Sequence, residues 1–128
     1  MTIKLYAAVV LQSQHETLDG KHITVAFSDV LPTDKLHCLQ AVESLPVVAC
    51  VMAVEYWLQA DITVARFVAE TFEDVKGVFE NAGFTYNDHV FKPHVTLDKG
   101  NKVEEYNHLV GQCVSPIDTY IRIKDFKD

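Results

Sequence analysis

Two short strings in this chain hold the residue types that proton transfer at a phosphate requires. Lys21-His22-Ile23-Thr24-Val25 and Pro93-His94-Val95-Thr96-Leu97 each place a histidine two residues before a threonine, with aliphatic residues between and after. Imidazole, with an ordinary pKa of about 6.5, accepts or donates a proton near neutral pH. Two of them can divide the cleavage of a phosphodiester: one removes the proton of an attacking hydroxyl or water, and the other protonates the departing oxygen. Threonine hydroxyls can donate to the non-bridging phosphate oxygens, where negative charge develops in the transition state. The i, i+2 spacing has a mechanical reason on a strand, where alternate side chains share a face. His22 and Thr24 then stand side by side while Ile23 and Val25 turn to a core, and His94 and Thr96 do the same against Val95 and Leu97. One such string on an edge strand is commonly a half-exposed histidine beside a β-favouring threonine; the second copy argues for a shared cleft. The scheme needs no metal or other cofactor.

Five further residues are candidates for holding the rest of a substrate. Tyr6 lies in a strongly apolar strand, where it is either core or a surface on which a base stacks. Trp57 ends a strand beside a turn, a position that suits a nucleobase platform as well as packing. Lys92 has the strand parity of His94 and can neutralise phosphate, unless it is one more solvated lysine. Tyr120 and Arg122 share a face of the last strand and can reach a ligand; a plain polar outer face is the alternative. Lys21 has the opposite parity to His22 and is given no role.

The elements that must position these residues are legible from periodicity and punctuation. Ile3 to Leu11 reads as a strand apolar on both faces, hence central, with Tyr6, Ala8 and Val10 on one side and Leu5, Ala7 and Val9 on the other. A turn-like stretch, Gln12 to Lys21, leads into the first string, whose strand runs His22 to Ser28. Pro32-Thr33-Asp34 starts a helix with Leu36, Leu39, Val42 and Leu45 at helical spacing, ended by Pro46. Val47 to Trp57 and Ile62 to Val68 predict a β-hairpin whose first strand is buried on both faces for much of its length. Thr71 and Asp74 offer a capping box for a helix with Phe72, Val75, Phe79 and Ala82 inward and Gly83 at its end. The polar loop Thr85 to His89 precedes the second string. Asn101 and Glu104 suggest another capping box, before a helix with Val103, Tyr106 and Val110 inward and Gly111 as its stop. Ser115 to Lys124 closes the chain as a strand with Ile117, Thr119, Ile121 and Ile123 inward. Six strands and three helices result, each half holding a His-x-Thr strand followed by a short helix. With no linker between the halves, residues 1–128 read as one α+β domain of two pseudo-symmetric lobes, the cleft between them.

Composition excludes several classes of function. A 128-residue chain with 48% hydrophobic residues can bury one sizeable core. Its longest apolar run, Pro46 to Val54, is far short of a membrane span. No secretory leader opens the sequence, so a cytoplasmic protein is expected. The net charge of −7 argues against long, non-specific contacts with nucleic acid, which need clustered Lys and Arg. Three cysteines, an odd number without a C-x-x-C pair, are expected to be buried free thiols. His15, His37, His89 and His108 show no zinc-ligand spacing, so no metal site is expected. No P-loop, dinucleotide-binding glycine string or nucleophile elbow is present.

The paired H-x-T-hydrophobic strings, their separation, the apolar segment Leu5 to Val10 and the order of elements resemble the 2H phosphoesterase superfamily. That superfamily includes LigT-like RNA 2′,3′-cyclic phosphodiesterases and phage anti-CBASS enzymes that cut cyclic oligonucleotide signals. The resemblance implies a bilobal α+β fold, two antiparallel sheets with helices outside and a central cleft. It also implies metal-independent chemistry, with His22 and His94 as the acid/base pair and Thr24 and Thr96 as phosphate holders. The segment Val54-Glu55-Tyr56-Trp57 and the string Phe91 to Gly100 look more like the compact phage-type members, and the chain is short, acidic and arginine-poor. The expected substrate is therefore a small cyclic nucleotide or oligonucleotide, with no long nucleic acid and no membrane as partner. A 2′,3′-cyclic phosphodiesterase acting on RNA ends is the second reading, and a cyclic-nucleotide-binding sponge without turnover the third. Intact histidines in both strings disfavour the sponge, which has no use for a proton donor and acceptor.

Overall fold

The computed structural model describes residues 5–28, 40–84 and 91–123, folded as two antiparallel sheets with short helices. The first sheet has the order β2 (His22–Ser28), β1 (Leu5–Gln12), β7 (Cys113–Ile123), β3 (Ala49–Cys50). The second has the order β4 (Ala53–Trp57), β5 (Ile62–Arg66), β6 (His94–Lys99). This is the α+β, two-sheet fold expected above. The two His-x-Thr strands, β2 and β6, each stand at an edge of their own sheet and approach one another without pairing. The line from β2 to β6 is therefore where the sheets meet.

Strand parity separates core from cleft, as the sequence pattern implies. Along β1, Leu5, Ala7, Val9 and Leu11 are buried while Tyr6 and Val10 are half-buried. β1 lies between β2 and β7, the central position expected for it. Ile23, Val25 and Ala26 of β2 are fully buried. Two successive buried residues there follow from a bulge: Ala7 pairs with Ala26 but Ala8 with Thr24, so one residue of β2 is extra. A second bulge, between Val10 and Leu11 on β1, interrupts the pairing with β7. It turns Ile117 outward, half exposed, where simple alternation had placed it in the core. The buried apolar residues of both sheets form one contiguous core, to which Phe67, Phe72, Phe79 and Phe84 contribute the largest side chains.

The segment 47–57 departs most from expectation. It is not one strand buried on both faces: Val47 is 90% exposed, Val48 and Met52 are exposed, and Ala49, Val51 and Val54 turn inward. The backbone shows why. Val51 N–H donates to Gln112 O at 2.8 Å, on the β7 side, whereas Met52 N–H donates to Arg66 O at 2.7 Å, in the other sheet. The chain thus changes sheets between two consecutive residues, and an apolar run long enough for one strand serves as two.

The helices are shorter than their periodicity suggests. Helix α1 (Glu73–Asn81) is preceded by a 3₁₀ turn, Ala69–Phe72, and buries Phe72, Val75 and Phe79. The Thr71/Asp74 capping box does not form, because Phe72 is the residue entering the helix and no side chain caps it. Gly83 takes the expected left-handed conformation, φ +101°. Helix α2 (Val103–Tyr106) continues as a 3₁₀ turn, Asn107–Leu109, which buries Leu109 in place of the expected Val110. Asn101 does accept from the Val103 N–H at 3.3 Å, without the reciprocal Glu104 bond of a capping box. Of the helix expected after Pro32, the residues up to Leu39 lie outside the described ones, and Gln40–Ser44 forms a 3₁₀ helix. Ile3, Lys4, Thr85 to His89, with His37, Cys38 and Lys124, also lie outside. Among the described residues, no helix is long and apolar enough to cross a membrane.

The cysteine expectation is overturned. Cys50 and Cys113 are both exposed, lie opposite each other in the β3–β7 pairing, and form a disulfide across 63 residues of chain. An odd cysteine count argues against a disulfide framework but says nothing about one cross-strand pair, which needs only adjacent positions on two strands.

Candidate active site

The first wall of the cleft is the outer face of the β2–β1–β7 sheet. In register, Val10 pairs with His22 and Asp118, Ala8 with Thr24 and Tyr120, and Tyr6 with Phe27 and Arg122. His22, Thr24, Tyr6, Tyr120 and Arg122 therefore share one face. The Tyr6 ring lies 5.9 Å from both the His22 and the Tyr120 ring, and His22 and Tyr120 are 6.0 Å apart. The Arg122 guanidinium sits over the Tyr120 ring at 4.1 Å, a cation–π contact. Burial and a hydrogen bond with Tyr6 push the Tyr120 hydroxyl up to about 12, so it stays protonated as a donor.

The second wall is the corresponding face of β4–β5–β6. His94 pairs directly with Arg66 and Thr96 with Val64, which puts imidazole and hydroxyl on one face as the i, i+2 spacing implies. The pairing skips Leu97 by a bulge, and Thr96 is exposed. Phe67 N–H donates to Pro93 O at 2.9 Å and fastens the strand just ahead of His94. In β5, Thr63 is fully buried and ties down the chain past the other end of β6, donating to Gly100 O at 2.6 Å and accepting from Lys102 N at 2.7 Å. The Trp57 ring reaches across β5 to lie 4.3 Å from the His94 ring.

The two histidines differ in their surroundings. His94 Nδ1–H donates to Lys92 O at 2.8 Å, which fixes the ring and leaves Nε2 to exchange a proton. Burial holds the His94 pKa below the ordinary imidazole value; the bond to Lys92 opposes this, and charge on His22 and Arg66 adds to it. His22 is likewise lowered, first by burial of its ring and then by the cations Arg122 and Lys21. A proton on His22 thus disfavours a second on His94: the pair senses each other across the line between the sheets. One neutral and one charged imidazole is the state that acid/base division requires.

Ring and cation contacts join His22, Tyr6, Tyr120 and Arg122 on the first sheet, and Trp57 and His94 on the second, while Thr24 and Thr96 share the faces of their histidines by register. Lys92 joins by a different route. Its side chain is exposed, and the contact it makes to the site is the backbone carbonyl beneath His94. Lys21, assigned no role by parity, lies near enough to lower the His22 pKa.

Sequence reasoning missed Arg66 and Glu55. Glu55 Oε1 accepts from the Trp57 Nε1–H at 3.1 Å, and both carboxylate oxygens face Arg66 Nη1, at 3.4 and 3.2 Å. The available signal was Arg66 itself, a permanent charge in an otherwise apolar strand with the parity to face the cleft. The chain has two arginines, Arg66 and Arg122, and both lie in this site.

Two antiparallel sheets, each with a His-x-Thr strand at its edge, make up this α+β fold. No family model matches the sequence, and no curated protein matches it. Solved structures do match. One described as the crystal structure of the MHV ns2 PDE domain superposes with a TM-score of 0.53 at 11% identity, over 94% of this chain and 99% of that one. At that identity the likeness bears on the fold.

Proposed function

We propose that the protein is a metal-independent phosphodiesterase of 2H type that cleaves an internucleotide bond in a small, cyclic oligonucleotide. The observation that supports this reading is that β2 and β6, edge strands of two different sheets that approach one another, each carry a histidine and a threonine on one face. In the reaction, a ribose 2′-hydroxyl attacks its neighbouring 3′-phosphate while one imidazole takes its proton. The other imidazole protonates the leaving 5′-oxygen, so the products are a 2′,3′-cyclic phosphate and a free 5′-hydroxyl. Thr24 and Thr96 donate to the non-bridging oxygens. Two imidazoles supply both proton transfers, which is why no metal enters the scheme. The fold shared with a domain described as a PDE supports the same class of chemistry.

The aromatic groups on both walls favour a substrate with bases on both sides of the scissile phosphate. Trp57 offers one stacking surface beside His94, and Tyr6 with Tyr120 another beside His22. A 2′,3′-cyclic mononucleotide has a single base. Action on the 2′,3′-cyclic end of an RNA, by attack of water, is the second reading and uses the same four residues. A role in degrading immune signals in a host cytoplasm follows if cyclic oligonucleotides are the substrate. Disulfides persist mainly in oxidising compartments, so the state of Cys50 and Cys113 in protein recovered from cytoplasm bears on that location.

The test is incubation in EDTA with cyclic di- and trinucleotides, linear dinucleotides and 2′,3′-cyclic mononucleotides, with products resolved by chromatography. Cleavage of the cyclic oligonucleotides supports the proposal. Turnover confined to 2′,3′-cyclic mononucleotides replaces it with the second reading, and tight binding without turnover replaces it with a sponge. Activity abolished by EDTA and restored by a divalent metal overturns the mechanism.

A further inference from the structure

We propose that Glu55 and Arg66 are a positioning pair for His94: Glu55 holds the Trp57 indole and the Arg66 guanidinium, and these two fix the orientation and local charge of the imidazole. The inference rests on the reading of His94 as one of the two proton-transfer groups.

Three observations carry it. Arg66 is the direct cross-strand partner of His94, so the two side chains leave the second sheet side by side on one face. Glu55, on the next strand, is the shared acceptor of Trp57 Nε1–H and Arg66 Nη1, and the Trp57 ring in turn lies against His94 at 4.3 Å. Arg66 Nε is buried without a hydrogen-bond partner among the described residues. Leaving a buried donor unpaired is costly. A strand packed for stability alone would carry an aliphatic residue at this position, as β5 does at Val64 and Ala65.

Among the described residues, charged and titratable groups stand around His94 on several strands. Arg66 faces it from β5, Glu55 stands behind Arg66 on β4, and His22 faces it from β2 with Arg122 and Tyr120 beyond. Lys92 contributes its carbonyl from below. Arg66 charge lowers the proton affinity of His94, and Glu55 offsets part of that charge. The pair therefore opposes itself: losing the cation and losing the anion move His94 in opposite directions.

The test is an NMR titration of the His94 imidazole in the wild-type chain and in Arg66→Gln, Arg66→Lys and Glu55→Gln. Arg66→Gln is expected to raise its proton affinity about three- to tenfold. Glu55→Gln, nearly isosteric, is expected to lower it. Arg66→Lys keeps the charge and is expected to restore the titration. Unmoved titrations, or shifts of the same sign in the Arg66→Gln and Glu55→Gln variants, overturn the proposal. Should Arg66→Gln fail to fold, the Glu55→Gln titration decides alone. The titration needs no substrate, so its failure is separable from a failure of the phosphodiesterase reading, which shows instead as no turnover by the wild-type chain.

Discussion

The Trp57 indole and the His94 imidazole lie 4.3 Å apart although their strands are not neighbours: β5 stands between β4 and β6. The contact is made by an indole that Glu55 holds through its N–H, so the aromatic surface beside the second histidine is oriented rather than loose. Base stacking on an aromatic ring contributes about 1–3 kcal/mol. Trp57→Ala is therefore expected to raise KM for a dinucleotide substrate about 5- to 100-fold. Steady-state kinetics check this, with Trp57→Phe retaining most of the affinity.

His22→Ala and His94→Ala are each expected to lower kcat by about 10²- to 10⁴-fold, the usual contribution of a positioned acid or base. The double variant is expected to lose far less than the product of the two, because acid and base serve one step. Neither histidine belongs to the buried core. Thermal melts of the single variants should accordingly stay within a few degrees of the parent.

Thr24→Val and Thr96→Val keep the β-branched shape and delete only the hydroxyl. If those hydroxyls stabilise charge on the phosphate, each change lowers kcat by roughly 10- to 1000-fold with little change in the melt. Thr→Ser at the same positions should recover most of the rate, since the donor returns. Equal losses in the Ser and Val variants would point to packing instead.

Both histidines have pKa values below the ordinary 6.5, mainly through burial. The alkaline limb of the kcat/KM profile, where the acid loses its proton, should therefore have an apparent pKa below 6.5, and the optimum should lie on the acid side of neutrality. Stability follows the opposite sign. Depressed values mean that the unfolded chain binds more protons between the folded and unfolded pKa values. The contribution is thus fully present above pH 6.5 and is lost as pH falls through the folded values. Denaturant unfolding at a series of pH values from about 7 to 5 measures that slope.

The disulfide predicts a thiol count. Denatured without reductant, the oxidised protein should titrate one thiol, and denatured after full reduction, three. Because the bond joins residues 63 apart, reduction removes a constraint on the unfolded chain worth up to about 4 kcal/mol. Both sulfurs belong to exposed residues, so reductant reaches them without unfolding, and the midpoint of denaturation should fall when it does.

What the sequence by itself determined is the local part: which residues share a face and where the site-bearing strands begin. His22–Ser28 is read from alternation alone, and the partnership of His with Thr is a property of extended backbone that no neighbour alters. Distances between strands are another matter. The bulge opposite Ala7 and Ala8, the change of sheet at Val51 and Met52, and the Cys50–Cys113 bond depend on which strand lies beside which. A string of residue types carries no record of that choice. Glu55 and Arg66 show the same limit at the site. Each is one charge in its own strand, and only the pairing of β4, β5 and β6 sets the two beside Trp57 and His94. Burial and backbone hydrogen bonding summed over the whole core decide that pairing, so tertiary structure, and not the motif, decides what surrounds the second histidine.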